Sequence, residues 1–599
     1  MKLLDRLRDD AMFAAGAWRS LRATMPIAKN PTQVFPRLFE TIAARYGDKP
    51  ALISDIETLS YRELAGRANR YARWALAQGL GKGDVVCLLM QNRPEFMAIW
   101  LGITNAGGAV ALLNTNLTGP SLAHCIDLVA PRHVVVADTL AAALASAMPH
   151  LKSAPQVWTH GAGLVTARRI DRVVATLAAD PLADTERPPL TIEDRALFIY
   201  TSGTTGMPKA ANVNHYRVML ACLGFAGVMG TRETDRMYDC LPMYHTTGGL
   251  AATGALLVKG GSVVIRDKFS AQTFWDDIVR HDCTLFQYVG ELCRYLVNAP
   301  PRAGETQHRV RLACGNGLRP DIWPAFKTRF GIPRIIEFYA ATEGNVMLFN
   351  FEGREGAIGR LPRLLDWRFP VRIVRFDVTR EEPMRDAHGF CIVCQADETG
   401  EAIGQILTDA MVPSGRFDGY ADRADSERKI LRDVFAPGDA WFRTGDLMRR
   451  DRRGYFYFVD RIGDTFRWKG ENVSTAEVAE TINRFPGVHD CSVYGVTVAG
   501  HDGRAGMAAI VADAGLDLAA LRAHLHALLP DYARPRFVRI RPEIEMTVTF
   551  KPKKAELVAQ GFDPGSTTDA LYLDDPRTAA FAPIDAALYD AINGGAIRL

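Results

Sequence analysis

The stretch Tyr200-Thr201-Ser202-Gly203-Thr204-Thr205-Gly206-Met207-Pro208-Lys209 continues the apolar run Leu197 to Thr201. A strand that opens into such a loop brings backbone amides and side-chain donors to the end of a sheet. Glycines let the backbone approach a polyphosphate, hydroxyls and amides donate hydrogen bonds, and Lys209 neutralises charge. The pattern differs from the familiar Gly-Lys-Ser/Thr phosphate loop, because Gly203 and Gly206 stand too close together and no such triplet follows. Four hydroxyls, those of Thr201, Ser202, Thr204 and Thr205, surround Gly203. They suggest a clamp that moves. An ordinary surface turn would not need so many donors beside one lysine.

Working outward, short apolar runs alternate with helical patterns from about residue 35 to 340. Runs include Asp84 to Met90, His133 to Ala137, Ser262 to Ile265, Thr284 to Val289, Val310 to Cys314 and Arg334 to Phe338. Amphipathic stretches between them include Tyr61 to Gln78, Ala271 to His281 and Pro320 to Phe330. Such alternation predicts a largely parallel sheet covered by helices. A β-rich portion follows from Val371 to Asp460. Ser474-Thr475-Ala476-Glu477 then reads as a capping box opening a helix to about Arg484. Strands His489 to Val496, Met507 to Ala512 and Phe537 to Arg541 follow, with a helix Leu516 to Leu529 among them. The expected class is α/β: a large N-terminal domain of layered mixed sheets with flanking helices and a β-rich portion, then a small mobile α+β C-terminal domain. The expected divisions are an amphipathic N-terminal helix (1–30), the large domain (31–460) and the small domain (461–599).

At 599 residues, 48% apolar and 23% charged, the chain can bury sizeable cores without disulfide or metal staples. A net charge of +3 with interspersed signs gives no nucleic-acid surface. Ten cysteines without framework spacing suit a reducing compartment; the close pair Cys391 and Cys394 lacks a second pair for zinc and reads as structural. Asp5, Arg6, Arg8, Asp9 and Asp10 interrupt any secretory core region. The nearly uncharged stretch Phe96 to Leu113 breaks at Gly107-Gly108, as a buried helix followed by a strand would. At the amino terminus Leu4, Leu7, Ala11, Ala14, Trp18 and Leu21 form one narrow helical stripe. Two readings stay open: the stripe docks on the protein's own body, or it lies on a membrane surface.

Further segments complete a resemblance. The loop from Tyr200 to Lys209 resembles the phosphate loop of the adenylate-forming superfamily of acyl-coenzyme A synthetases, luciferases and adenylation domains. In order along the chain, Leu241-Pro242-Met243-Tyr244-His245-Thr246-Thr247-Gly248-Gly249 resembles its acyl-pocket loop and Cys314-Gly315-Asn316-Gly317 its adenine turn. Glu337-Phe338-Tyr339-Ala340-Ala341-Thr342-Glu343 resembles the nucleotide and metal motif, Thr444-Gly445-Asp446 the ribose motif, and Asp460-Arg461-Ile462-Gly463-Asp464 the interdomain hinge. Within the superfamily, four stretches look like the fatty acid transport proteins, also called very-long-chain acyl-coenzyme A synthetases. They are Phe286 to Leu296, Gly315 to Pro320, Phe466 to Ser474, and Thr549-Phe550-Lys551.

That resemblance implies a long-chain or very-long-chain fatty acid–coenzyme A ligase. ATP, Mg²⁺ and coenzyme A would serve it through an acyl-adenylate and then a thioester, with a link to fatty acid uptake. It implies catalytic roles for Lys551, Thr342, Glu343, Lys209 and His245, with Glu343 as the Mg²⁺ ligand. Tyr339 would face the adenine, Thr342 the α-phosphate, and Asp446 with Arg461 the ribose. Glu337 and Phe338 belong to the nucleotide motif. Lys469-Gly470 would line the pantetheine path, and Gly463 with Asp464 would form the hinge. Tyr244, Gln287 and Tyr288 would line the acyl channel, where Gly248, Gly249 and Gly290 leave room for a chain. Lys551 sits after Thr549-Phe550 where most of the superfamily has Ser-Gly, and Lys553 and Lys554 are close enough to substitute. The resemblance also places the chain in the cytoplasm, leaving open a homodimer and peripheral contact with the inner face of a membrane. Two rivals remain: a ligase for a bile or sterol acid, and a membrane-surface uptake protein with weak catalysis.

Overall fold

The computed structural model describes residues 2–162, 168–201, 207–366, 368–378, 380–407, 415–469, 471–501, 503–546, 553–597 and 599. Among them, seven strands form one sheet in the order Arg168–Arg169, Gln156–His160, His133–Ala137, Val85–Leu89, Ala109–Leu112, Arg195–Thr201 and Lys209–Asn214. All neighbours run parallel except the last pair, an antiparallel hairpin in which Thr201 lies opposite Lys209. The glycine-rich loop of the opening stretch joins these two strands; its residues 202–206, and with them the expected clamp, lie outside the described set.

A larger sheet carries Ile335–Ala340, Leu312–Asn316, Leu285–Val289, Arg236–Asp239, Ser262–Ile265 and Pro50–Ile53 side by side, all parallel. The β-rich portion extends this sheet antiparallel, through Met347–Asn350, Gly359–Arg360, Tyr455–Arg461, Ala440–Arg450, Thr399–Gln405 and Val371–Val374. One apolar core joins the two sheets, drawing on Val86 and Leu112 from the first and on Leu285, Leu312 and Ile336 from the second. Two helices fill the layer between. Pro94–Asn105 starts with proline, whose missing N–H costs nothing at a first turn, and is buried throughout. His215–Met229 is capped by the Asn214 side chain, which accepts from the Arg217 amide, and is closed by Gly230 at φ +58°.

A third sheet, Val488–Val496, Ala505–Ala512, Phe537–Ile540, Ala570–Asp575 and Ala580–Pro583, is covered by helices Thr475–Asn483 and Leu518–Leu528. Its own core runs from Phe466 to Ile597. The Ser474 hydroxyl caps the first helix by accepting from the Glu477 amide. No described helix is long and apolar enough to cross a membrane, and Phe96 to Leu113 is the buried helix and strand its glycine break implied.

The amino-terminal helix Lys2–Lys29 packs on His215–Met229, but not through the expected stripe. The inward face is made of Phe13, Gly16, Ser20, Thr24 and Ile27, while Leu4, Leu7 and Trp18 face solvent. Close approach of the helix to its neighbours selects small residues. A Cβ on Gly16 would meet the Phe351 ring at 2.3 Å, and one on Gly227 would meet the Ser20 Cα at 2.6 Å. Self-docking of the apolar stripe is therefore corrected.

Candidate active site

The carboxyl ends of the parallel strands converge, as ligand sites of open α/β sheets do. Tyr288 lies opposite Gly315, and Gly315 opposite Glu337. Gly315 has no room for a side chain: its Cβ would lie 2.3 Å from the Tyr288 carbonyl oxygen. Gly317 turns at φ +81°. The buried Glu337 carboxylate ties this turn together, accepting from the Tyr288 hydroxyl at 2.5 Å, from the Leu318 amide at 3.1 Å, and from the Gly317 amide. Burial raises its pKa to about 8 against those three donors. Glu337 and Tyr288 thus shape the turn between Asn316 and Leu318. Phe338 packs edge-on against Phe225 in the core, at 4.7 Å between ring centroids. Half-buried Tyr339 donates from its hydroxyl to Asp446.

A second cluster gathers residues from both large sheets and the loops that follow them. Buried Glu343 accepts from the Tyr420 hydroxyl at 2.7 Å, and Tyr420 also hydrogen-bonds Thr201. Burial and the neighbouring Glu343 charge push the Tyr420 phenol upward, so it stays a neutral donor. The Lys209 ammonium pairs with Asp425 at 2.9 Å and stands 5.7 Å from the Tyr420 ring centre. The Thr342 hydroxyl meets that of Thr246 at 2.9 Å, joining the loop expected to line the acyl pocket to the segment expected to hold the metal. Beneath them the Arg217 guanidinium donates to the carbonyls of Thr342 at 3.1 Å, Glu343 at 3.0 Å and Gly344 at 2.9 Å, and pairs with Asp418 at 2.6 Å. Among the described residues no cluster of three or more His, Cys, Asp or Glu could hold a metal. One carboxylate braced by a phenol fits an ion that completes its shell with phosphate oxygens and water.

Asp446 and Arg461 are cross-strand partners with their charged atoms 3.8 Å apart. Beyond them Gly463 holds φ +95° with nothing within 4 Å of a notional Cβ. Asp464 pairs with Lys554 at 3.1 Å, and Lys553 pairs with Glu545 at 3.2 Å, so both alternative lysines are engaged in this arrangement. Lys469 sits at φ +51° and reaches Asp531 at 3.2 Å. Lys551, Gly470 and Ser202, Gly203, Thr204, Thr205 and Gly206 lie outside the described residues.

The acyl-pocket loop leads into a π-helix, Thr247–Gly254, a geometry frequent at functional sites. The rings of Tyr244 and His245 lie 4.6 Å apart at its entrance, and Tyr244 is buried. Gln287 is fully buried on the sheet face opposite Tyr288. The expectation that three glycines leave room for a chain needs correction, because main chain already fills those spaces. A Cβ would meet the Pro242 carbonyl oxygen at 2.5 Å from Gly248, that of Met243 at 2.4 Å from Gly249, and that of Gly317 at 1.6 Å from Gly290. These glycines pack the loop and the turn on themselves.

Sequence reasoning missed Arg217, Tyr420 and Asp425. A signal existed for the first: Arg217 is the one arginine in a helix of otherwise mostly apolar residues. Tyr420 follows Gly419 at φ +70° in a loop with no motif of its own.

A family model described as AMP-binding enzyme matches residues 39–379, and one for the AMP-binding enzyme C-terminal domain matches residues 477–551. Long-chain fatty acid transport protein 1 of Homo sapiens is 41% identical over 573 residues, covering 94% of this chain and 88% of the relative. Long-chain fatty acid transport protein 2 of Rattus norvegicus is 38% identical, with 95% and 92% covered. Among solved structures, an anthranilate CoA ligase in complex with anthranoyl-AMP superposes with a TM-score of 0.76 at 21% identity, covering 89% of this chain and 98% of that one. ATP-bound MatB from Rhodopseudomonas palustris superposes at 0.74 and 24%, covering 88% and 99%. With family models on both parts and relatives matched along nearly its whole length, the chain belongs to the AMP-binding enzymes and, within them, to the family of the long-chain fatty acid transport proteins.

Proposed function

We propose that this chain is an ATP-dependent long-chain fatty acid–coenzyme A ligase. A carboxylate is a poor electrophile, so its oxygen first attacks the α-phosphorus of ATP and expels pyrophosphate; the thiol of coenzyme A then displaces AMP. Both partners of the first step are anionic, so preorganised cations and donors must offset the charge that builds up. Lys209, the hydroxyls of Thr342 and Thr246, and Lys551 are the groups assigned to that work. Glu343, oriented by Tyr420, is assigned to Mg²⁺, which when bound would neutralise phosphate charge. Asp446 accepts from ribose hydroxyls and Arg461 donates to them, while the Gly315-Asn316-Gly317 turn and Tyr339 take the base. His245 and Tyr244 stand at the acyl entrance.

The observation that carries this reading is the convergence on Tyr420 of Thr201 and Lys209 from one sheet and Glu343 from the other. The relatives' names favour a long aliphatic acid over a bile or sterol acid. We assign residues 1–30 to the surface helix, 31–460 to the large domain and 461–599 to a small domain that turns at Gly463 and Asp464. In the second half-reaction that turn brings Lys469 and Gly470 to the pantetheine arm. We place the protein in the cytoplasm, in peripheral contact with the inner face of a membrane and linked to uptake.

The test is pyrophosphate release and thioester formation across medium to very long fatty acids, with Lys551→Ala beside wild type. A lysine near the developing charge is worth about 10²-fold or more in adenylation. Lys551→Ala should lose that step yet still convert supplied acyl-adenylate. Wild-type pyrophosphate release by the variant would remove Lys551 from the mechanism, and no turnover of any aliphatic acid by wild type would remove the reading itself.

A further inference from the structure

The first sheet has a point of its own where the chain reverses its order. From Val85–Leu89 the chain moves to Ala109–Leu112 on one side, and from the adjacent His133–Ala137 to Gln156–His160 on the other. A crevice outside the carboxyl ends of two such strands is where open α/β sheets take ligands. A cavity of about 350 Å³ lies beside it, of a size that suits a small molecule. Arg93, Pro94 and Glu95 line it just after the first of these strands, and His160 ends the strand next to the second. Arg67, Arg70 and Tyr71 reach it from helix Tyr61–Ala77. Among the described residues, none assigned above to nucleotide, metal or acyl chain lines this cavity.

The acids of the cavity are already engaged. Arg67 pairs with Glu57 and with buried Glu95, each at 2.6 Å. Glu95 also accepts from the Tyr71 hydroxyl and faces His160 at 3.6 Å. Burial alone would raise the Glu95 carboxyl, but hydrogen bonds from His160 and Tyr71 and the Arg67 charge hold it at about 2. Asp171 pairs with Arg169. Two cations are not so engaged. Arg70 donates from Nε to the Leu177 carbonyl at 3.1 Å, and Arg93 reaches the Gln91 side-chain oxygen at 3.3 Å. Among the described residues neither guanidinium pairs with a carboxylate, and the buried Arg93 Nε has no partner.

A guanidinium fork takes a planar carboxylate in a bidentate grip. Glu57, Glu95 and Asp171 on the same walls disfavour a ligand of higher negative charge, a phosphate dianion included. The remaining wall is apolar: Pro94, buried Val174, Ala175, and Ile56, which stands 82% exposed. We propose that this cavity is an effector site for a small aliphatic monocarboxylate, its head on Arg70 and Arg93 and its body on Ile56, Pro94 and Val174. The site has a short route to the rest of the molecule. Asn92, next to Arg93, donates to the carbonyls of Leu241 at 2.8 Å and Arg266 at 2.9 Å, and accepts from the Met243 amide at 2.8 Å. An acid that fixes Arg93 therefore also steadies the loop that begins at Leu241. That this loop guides an acyl chain rests on the function proposed above.

The experiment is equilibrium dialysis of radiolabelled hexanoate against the full chain, with the proposed adenylate site filled by a long-chain acyl-sulfamoyl adenosine, an unreactive mimic of the acyl-adenylate. Wild type should retain one hexanoate per chain. R70Q/R93Q should bind it at least about tenfold more weakly. A175E, which adds a carboxylate at an exposed position of the wall, should bind about threefold more weakly with an unchanged circular dichroism spectrum. Hexanoate should also slow amide hydrogen exchange in segment 241–246 of wild type, but not of R70Q/R93Q. Equal binding by all three proteins, or by none, overturns the site. Displacement of hexanoate by equimolar inorganic phosphate overturns the carboxylate assignment, and exchange that hexanoate leaves unchanged in wild type overturns the effector role. Neither readout needs turnover, so a protein that passes both yet activates no acid upholds this site and sinks the enzymatic reading.

Discussion

At Gly290 an added Cβ would sit 1.6 Å from the Gly317 carbonyl oxygen, whereas at Gly463 nothing lies within 4 Å. The first glycine packs against the turn at Gly317, where Glu337 draws Gly317, Leu318 and Tyr288 onto one carboxylate. The second belongs to the segment between the two lobes, and its φ of +95° is what excludes other residues, not crowding. One region needs glycine so that backbone can touch backbone; the other needs it so that backbone can turn. The proposed two-step ligase would have use for both, holding the base through both half-reactions while the small lobe turned.

The strongest way to break the comparison is Gly290→Ala. Overpacking against fixed main chain should cost about 3 kcal/mol or more and move the Gly317 turn. Denaturant unfolding and ATP titration should both register the loss. Wild-type stability and binding would mean the turn yields, and the contrast with Gly463 would fail.

Arg294→Ala acts on the seam between the regions. Arg294 is only 5% exposed, yet it donates to the His489 carbonyl at 2.8 Å and pairs with Asp490 at 2.9 Å and Glu291 at 2.6 Å. Burial already raises Asp490, and removing the guanidinium leaves two neighbouring carboxylates without it. This arrangement of the lobes should weaken by about 2 kcal/mol or more while each lobe stays folded. Faster protease cleavage near Gly463 with an unchanged far-ultraviolet spectrum would show it.

Glu337→Gln tests the turn more gently. The native carboxyl titrates at about 8, above its ordinary value, so the folded state binds the extra proton. Its contribution is complete below the unfolded pKa of about 4.5 and falls away as pH rises through about 8. The amide has no such titration. Melting temperatures should favour wild type at about pH 5 and drift toward the variant by about pH 8; parallel profiles would contradict the assignment.

Much of this was legible beforehand. His133–Ala137 and Ser262–Ile265 have the bounds their apolar runs imply, because strands buried on both faces read as continuous hydrophobic segments. The strand expected at Val310 to Cys314 lies at Leu312–Asn316, since its register is set by Leu285 on the neighbouring strand. Thr342, Glu343, Asp446 and Arg461 stand in contiguous motifs, so a local reading can single them out, and their roles belong to the proposed function. Arg217, Tyr420 and Asp425 reach the same site from segments far apart in the chain, which no local pattern reveals. The amino-terminal helix was misjudged for a related reason: periodicity selects the largest apolar side chains, while close packing here selected Gly16 against the Phe351 ring and Gly227 against Ser20.

The smallest effect belongs to Gly463→Ala. No atom obstructs the methyl group, so the penalty is backbone strain alone, about 1 kcal/mol, and global unfolding should barely change. The strain bears on one lobe arrangement and not the other, so the two half-reactions should respond unequally. Adenylation from ATP and thioester formation from supplied acyl-adenylate should change by different factors, each within about fivefold of wild type. Equal change in both would make Gly463 an ordinary tight turn, and the freedom assigned to this segment would have to come from Asp464 and its pairing with Lys554.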